Sequence, residues 1–421
     1  MSPGWLLLGL LAVAFLGSNV ARGRGVRGFG LPSGSEWILS GIAIGPQLLG
    51  LVHLRELSFL APVLAAGLGW VAMTIGMRFG VCLRPGFEEE VRAPSGAFLL
   101  GAVLGLLTAV GLAGFVYAAL GQYVVLAPRL RLGTAMWIGC SLSGSARQLV
   151  DWAKERHGAR GAVTDRIEAT IGGSEVVALA GTAPLSVLLF SPTMDVESVL
   201  LRAATPLILG LLLGLVALWL LRFEMRIAET WGILLGVQLL SAGLSLRAGS
   251  SVIAAGFLLG WLLGRDPLAG PELRLLTRPA EGMVLLPLLV VAGTSLQLSE
   301  VGYLGWLVIG VVCVRVVIKL GLARITCGHI VGTPSAATAF GLSLASSGEI
   351  ACLVALEYTL STPGQLGQFV LACALATSLL GELFGAVGLR RTLASSHELN
   401  ISGTGNRHCT NHGSAETTGW Q

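Results

Sequence analysis

The chain has 421 residues, 54% of them hydrophobic and only 12% charged, with a mean hydropathy of +0.79. A soluble domain carries about 25% charged residues, so this density argues against a soluble enzyme, a secreted disulfide scaffold or a disordered protein. The net charge of +4 is too small to point to a nucleic-acid partner. The 59 glycines suit membrane helices, which tolerate glycine better than soluble ones do.

A membrane-spanning helix needs about 20 mostly apolar residues. In chain order, such stretches fall at 3–20, 36–52, 57–77, 95–120, 132–150, 166–190, 199–221, 229–246, 250–264, 280–298, 302–323, 335–358 and 367–389. The first lacks a basic leader and is followed by Arg22, Arg24 and Arg27, which favours a retained helix over a cleaved signal peptide. With the N-terminus outside, 19 of the 27 Lys and Arg residues lie in cytoplasmic segments and five in outer ones. That bias supports thirteen spans, N-terminus out and C-terminus in, most simply in a plasma (inner) membrane. Residues 1–393 are expected to form the transmembrane domain, and the polar stretch 394–421 a disordered cytoplasmic tail. The tail's His408-Cys409-Thr410-Asn411-His412 is a weak metal signal, and the seven scattered cysteines read as small apolar fillers. No cofactor motif or nucleotide-binding loop appears.

Two pairs of segments echo one another seven spans apart. Ser40-Gly41-Ile42-Ala43-Ile44-Gly45-Pro46 matches Ala255-Gly256-Phe257-Leu258-Leu259-Gly260-Trp261, and Ser141-Leu142-Ser143-Gly144-Ser145 matches Ser343-Leu344-Ala345-Ser346-Ser347-Gly348. An odd offset puts the copies in opposite orientations. Repeat A would cover about 1–190, repeat B about 229–389, and 199–221 would be a linker helix. Interrupted helices at matching positions of inverted repeats point to a transporter's binding site. Ser/Gly runs also serve close helix packing, but the matched pair favours two discontinuous helices.

Ionisable groups at mid-span cost about 2.5–3.5 kcal/mol on insertion scales, so each calls for a reason. Glu175 is nine residues from Arg166, and Arg315 nine from Arg324. At 1.5 Å per residue both lie about 13.5 Å deep, which suggests a pair or a site where one releases the other. Lys319, a turn away, is read as a snorkelling side chain. Glu349 follows the second interruption. Arg147 follows the first and is within reach of the inner headgroups.

On these residues the chain resembles the cation/proton antiporter superfamily, the Na+/H+ exchangers and Kef-type transporters, from about Leu31 to Leu389. The matching pieces are Gly41 to Pro46 with Leu49-Gly50-Leu51, Ala146-Arg147-Gln148-Leu149, Ala254 to Gly260, Val291 to Leu298, and Ser347-Gly348-Glu349. The resemblance implies an all-α membrane protein of about 13 transmembrane helices in two inverted repeats. It further implies two crossed discontinuous helices in a core domain that moves against a dimerisation domain, hence a homodimer. The family's ion-binding acid falls on Glu175 or, one register away, on Val176; its basic residue falls on Arg315. Where the family often has an acidic pair or Asn-Asp, this chain has Gly172-Gly173-Ser174-Glu175-Val176. A single acid suits one-for-one, electroneutral exchange.

The expected activity is exchange of Na+ or K+ for H+ across the bilayer, with no enzyme chemistry and no resident metal. Glu175 would bind cation or proton, Ser141, Ser143 and Ser174 would help coordinate, Arg315 would compensate charge, and Glu349 would support the site. The rivals are an organic-anion carrier on the same fold and a transport-inactive sensor or scaffold.

Overall fold

The computed structural model describes residues 34–50, 52, 59–82, 95–123, 126–190, 196–223, 226–267, 269–332 and 334–399. The expected first span and the His408–His412 run lie outside the described residues. The fold is all-helical, and eight described helices are long and apolar enough to cross a membrane. In several of these less than a third of the apolar stretch is buried inside the protein. The remaining apolar surface is what a bilayer covers, and the chain is an integral multi-pass membrane protein.

In chain order the helices are α1 (Ser35–Ile44), α2 (Ala61–Cys82), α3 (Ser95–Tyr123), α4 (Pro128–Ser141), α5 (Gln148–His157), α6 (Ala162–Ala180) and α7 (Thr182–Phe190). There follow α8 (Val196–Leu221), α9 (Ile227–Ala248), α10 (Val252–Arg265), α11 (Ala269–Thr294), the single turn α12 (Leu298–Val301), α13 (Gly305–Ile330), α14 (Ala337–Ala345), α15 (Gly348–Ser361) and α16 (Gln365–Ser395). The short apolar stretch expected at 250–264 is α10, started by the Ser251 hydroxyl, which accepts from the Ala254 amide.

Packing separates two groups of helices. One contains α1, α2 and α8–α11; the other contains α3–α6 and α13–α16, and α7 packs against both. In the first group the helices approach backbone to backbone. A Cβ on Gly260 would lie 1.9 Å from the Met73 carbonyl oxygen, so α10 can sit this close to α2 only with glycine there. Gly41 of α1 is likewise pressed against Gly293 of α11. The second span therefore packs on the tenth as the ninth packs on the third, the exchange that two inverted repeats require.

The second group holds the two interruptions. The fifth span is broken between α4 and α5 at residues 142–147, and the twelfth between α14 and α15 at Ser346–Ser347. The breaks touch where they cross: the Ala146 amide donates to the Ser346 carbonyl at 2.9 Å, and the Ser145 hydroxyl to the Leu344 carbonyl at 2.9 Å. Gly348 has φ +64°, and a Cβ there would meet Ala146 at 3.0 Å, so the restart of α15 needs glycine on both counts. Trp137 Nε1 donates to the Val354 carbonyl (3.0 Å), and Tyr358 and Thr134 share a 2.7 Å hydrogen bond, tying α4 to α15.

The first residues of the segment expected as a tail, 394–399, are built into the fold, and the rest lies outside the described residues. Helix α16 runs to Ser395, and Glu398 folds back to accept from the Val163 and Thr164 amides at 2.8 Å each, capping the N-terminus of α6. A carboxylate at a helix N-terminus is held by exposed amides and by the helix dipole, and this anchors a segment that its composition alone would leave free.

Candidate functional site

Each interruption exposes two helix ends, one with orphan carbonyls and one with orphan amides. The C-terminal ends of α4 and α14 meet at the crossing, and Arg315 of α13 lies across them. Its guanidinium donates to the carbonyls of Leu142 (2.9 Å), Gly144 (2.7 Å), Ser346 (3.5 Å) and Ala345. Lys319, a turn further along the same face, donates to the Ser143 carbonyl (2.8 Å) and the Ser145 hydroxyl (3.2 Å). Both side chains are 1% exposed. Lys319 therefore does not snorkel: the partial negative charge of two helix C-termini outcompetes the distant headgroups.

The expected Glu175–Arg315 pair is absent: Arg315 donates instead to four carbonyls at the crossing. Glu175, also 1% exposed, is on α6 and faces a different pair of cations. Its Oε2 is 3.5 Å from Arg78 Nη2 and 4.0 Å from Arg147 Nη1. Arg147 also pairs with Glu168, which in turn pairs with Lys154. The order Arg78, Glu175, Arg147, Glu168, Lys154 is an alternating chain of charge, and from Glu175 onward it leads from the protein interior toward its surface. Arg147 turns inward to two acids rather than to the headgroups.

This chain of charge borders a cavity of about 470 Å³ between α2 and α11 on one side and α5, α6 and α15 on the other. Arg78, Arg147, Glu168, Glu281 and Glu349 line it. Glu349 stands in the first turn of α15, 6% exposed, and its Oε2 has no hydrogen-bond partner among the described residues. A buried carboxylate oxygen without a donor is costly and leaves room for a proton or a cation.

The three expected serines are buried around the same crossing. Ser141, Ser143 and Ser174 each donate to a carbonyl of their own helix, those of Ile138 (3.1 Å), Cys140 (2.7 Å) and Ile171 (2.8 Å). Their protons are committed locally, while their oxygens keep lone pairs. Gly144 brings the first interruption against α6: a Cβ on it would be 3.9 Å from the Glu175 Cα.

Reading the sequence alone missed two members of this network and one deep acid outside it. Arg78 counted as a topology-setting base because it ends an apolar stretch. Glu168 lay close enough to the expected boundary at Arg166 to pass as a cytoplasmic acid. Glu357 drew no attention, yet it is a 6% exposed acid in a membrane helix, and scarcity of charge at that depth was the signal that could have found it.

No family model matches the sequence, and no curated protein matches it. Solved structures do. The sodium proton antiporter MjNhaP1 from Methanocaldococcus jannaschii at pH 8 superposes with a TM-score of 0.66 at 15% identity, over 93% of this chain and 97% of that one. An electron-microscopy map of the same antiporter gives a TM-score of 0.60 at 15% identity, over 93% and 96% of the two chains. Near-complete coverage of both chains shows that this protein shares the fold of that antiporter.

Proposed function

We propose that the protein is a secondary transporter that exchanges a monovalent cation, Na+ or K+, for H+. The observation that carries this reading is the placement of two buried carboxylates beside two crossed helix interruptions: Glu349 lines the cavity, and Glu175 pairs with Arg78 and Arg147, which line it too. Such a carboxylate is a place where protons and metal ions compete for one binding position. The sodium/proton exchange named for MjNhaP1 supports the same class of cargo.

In this reading Arg78 and Arg147 hold Glu175 when no cation is present. Arg147 has Glu168 as a second acceptor and so can yield without being left unpaired. The serine oxygens and the backbone near Gly144 replace part of the cation's hydration shell. With one acid on α6 in place of a pair, exchange is one-for-one and electroneutral. Arg315 compensates the interrupted helix ends and lets the crossing move as a unit. The helices α3–α7 and α13–α16 form the moving core, and the others a scaffold through which two copies form a homodimer. The cavity side is cytoplasmic, as the distribution of bases implies for an N-terminus outside and a C-terminus inside a plasma membrane.

The test is cation-driven dissipation of a pH gradient in proteoliposomes. The native protein dissipates it on addition of Na+ or K+, and Glu175→Gln does not. A Glu175→Gln protein as active as the native one would remove Glu175 from the site.

One observation favours a second reading. Glu175 sits between two guanidinium groups, and the amide ends of α5 and α15 face the same region, an environment that also attracts anions. An organic-anion carrier would show carboxylate uptake indifferent to Na+, K+ and pH.

A further inference from the structure

The cavity has a counterpart at the opposite end of the molecule, where the two groups of helices are in direct polar contact. Glu357 lies eight residues beyond Glu349 on α15, about 12 Å further from the cavity along the helix. Its carboxylate accepts from the amides of Val252 (2.6 Å) and Ile253 (3.2 Å) and from the Ser251 hydroxyl (3.0 and 3.1 Å). Ser251 is also 3.0 Å from the Thr182 hydroxyl of α7. A carboxylate from the moving group thus grips the N-terminus of α10, a helix whose packing belongs to the scaffold. Among the described residues no Lys or Arg forms a salt bridge with Glu357, which is held by two backbone amides and the Ser251 hydroxyl.

A second contact repeats the arrangement nearby. Gln368 of α16, 5% exposed, accepts from the Gln297 amide (2.8 Å) and donates to the Ser295 carbonyl (3.0 Å), just past the end of scaffold helix α11. Both contacts join a side chain of one group to the backbone of the other, and both sit away from the cavity. Charge-assisted hydrogen bonds to helix-terminal amides are strong and break all at once when the partner slides.

We infer that Glu357 is the latch that closes the protein on the side remote from the cavity, and that this carboxylate must leave the N-terminus of α10 before the site can open to that side. Glu357 is a positioning residue in this scheme, touching neither cation nor proton-carrying group. The inference rests on the alternating-access part of the proposed function and is independent of which ion is carried.

A labelling experiment reads the latch without any ion flux. Ser250, 6% exposed and adjacent to the latch, is replaced by cysteine, and an impermeant maleimide is applied from the side remote from the cavity, with the parent protein as background. Adding Glu357→Ala is expected to raise the labelling rate of Ser250→Cys by about tenfold or more, as loss of a charged hydrogen bond implies. Glu357→Gln, which keeps one acceptor oxygen, is expected to fall between the two. Gln368→Ala removes the second contact and is expected to raise labelling as well, which decides the matter if Glu357→Ala does not fold. Unchanged labelling in the Glu357 variant, or in the Gln368 variant standing in for it, would overturn the inference. If Glu175→Gln transports normally while Glu357→Ala opens the remote side, the ion site is wrong and the latch stands.

Discussion

The two sides of the helix crossing use charge in opposite ways. On the carbonyl side, Arg315 and Lys319 are enclosed by backbone oxygens, and no acid among the described residues forms a salt bridge with either. On the amide side, Glu175 and Glu168 pair with Arg78 and Arg147 beside a cavity that Glu349 also lines, and one oxygen of Glu349 has no partner among the described residues. A saturated cluster of fixed dipoles and cations is a structural joint. An alternating network with a spare acceptor can change partners, and exchange of partners is what a transport site needs. Depth in the membrane alone does not separate the two, since Arg315 and Glu175 were placed at equal depth.

The contrast is open to test, beginning with its largest expected effect. Arg315→Leu leaves several buried carbonyls without donors, each worth about 1–3 kcal/mol, against a total stability of about 5–15 kcal/mol. The expected outcome is loss of monodisperse protein on size-exclusion chromatography in detergent. A well-folded, transport-dead Arg315→Leu protein would instead move Arg315 to the functional side. Glu175→Gln is the opposite case: transport lost with the elution profile unchanged. Gly348→Ala is expected to cost about 1–2 kcal/mol, read as a lowered Tm, because its φ of +64° is left-handed and its Cβ would press on Ala146. Lys154→Ala is the smallest. Its amine is 34% exposed, so losing its pair with Glu168 is expected to change stability by no more than about 1 kcal/mol. A larger fall in Tm would mean that the charge chain stabilises the fold.

Much of the fold was legible because bilayer thickness imposes length on apolar stretches, and the two serine-glycine interruptions stood out against that background. The site was legible in part for a related reason. The candidates Glu175 and Arg315 stood out by counting along helices from charged ends, and Glu349 by its place after the second interruption, since few ionisable groups remain at depth. Their partners did not. Arg78 is 97 positions from Glu175 in the chain, and its long side chain carries its charge inward from a place that resembles a helix end. Glu357 is similarly remote from Ser251, with 106 positions between them. The misassigned Glu175–Arg315 pair came from matching charge with charge, where Arg315 found stronger partners in carbonyls that exist only because two helices break at the same point.

The sequence by itself determined that the protein lives in a bilayer, roughly where its helices run, which two of them are interrupted and which few charges lie deep. These follow from local composition and from the high cost of polar groups in hydrocarbon, which constrains every segment separately. Tertiary structure alone decided which cation faces which acid, that one side of the crossing is saturated and the other has an acceptor to spare, and that Glu357 bolts the remote side to α10. Those are properties of helices brought together from distant parts of the chain, and hydrogen-bond geometry at such meetings has no counterpart in local sequence.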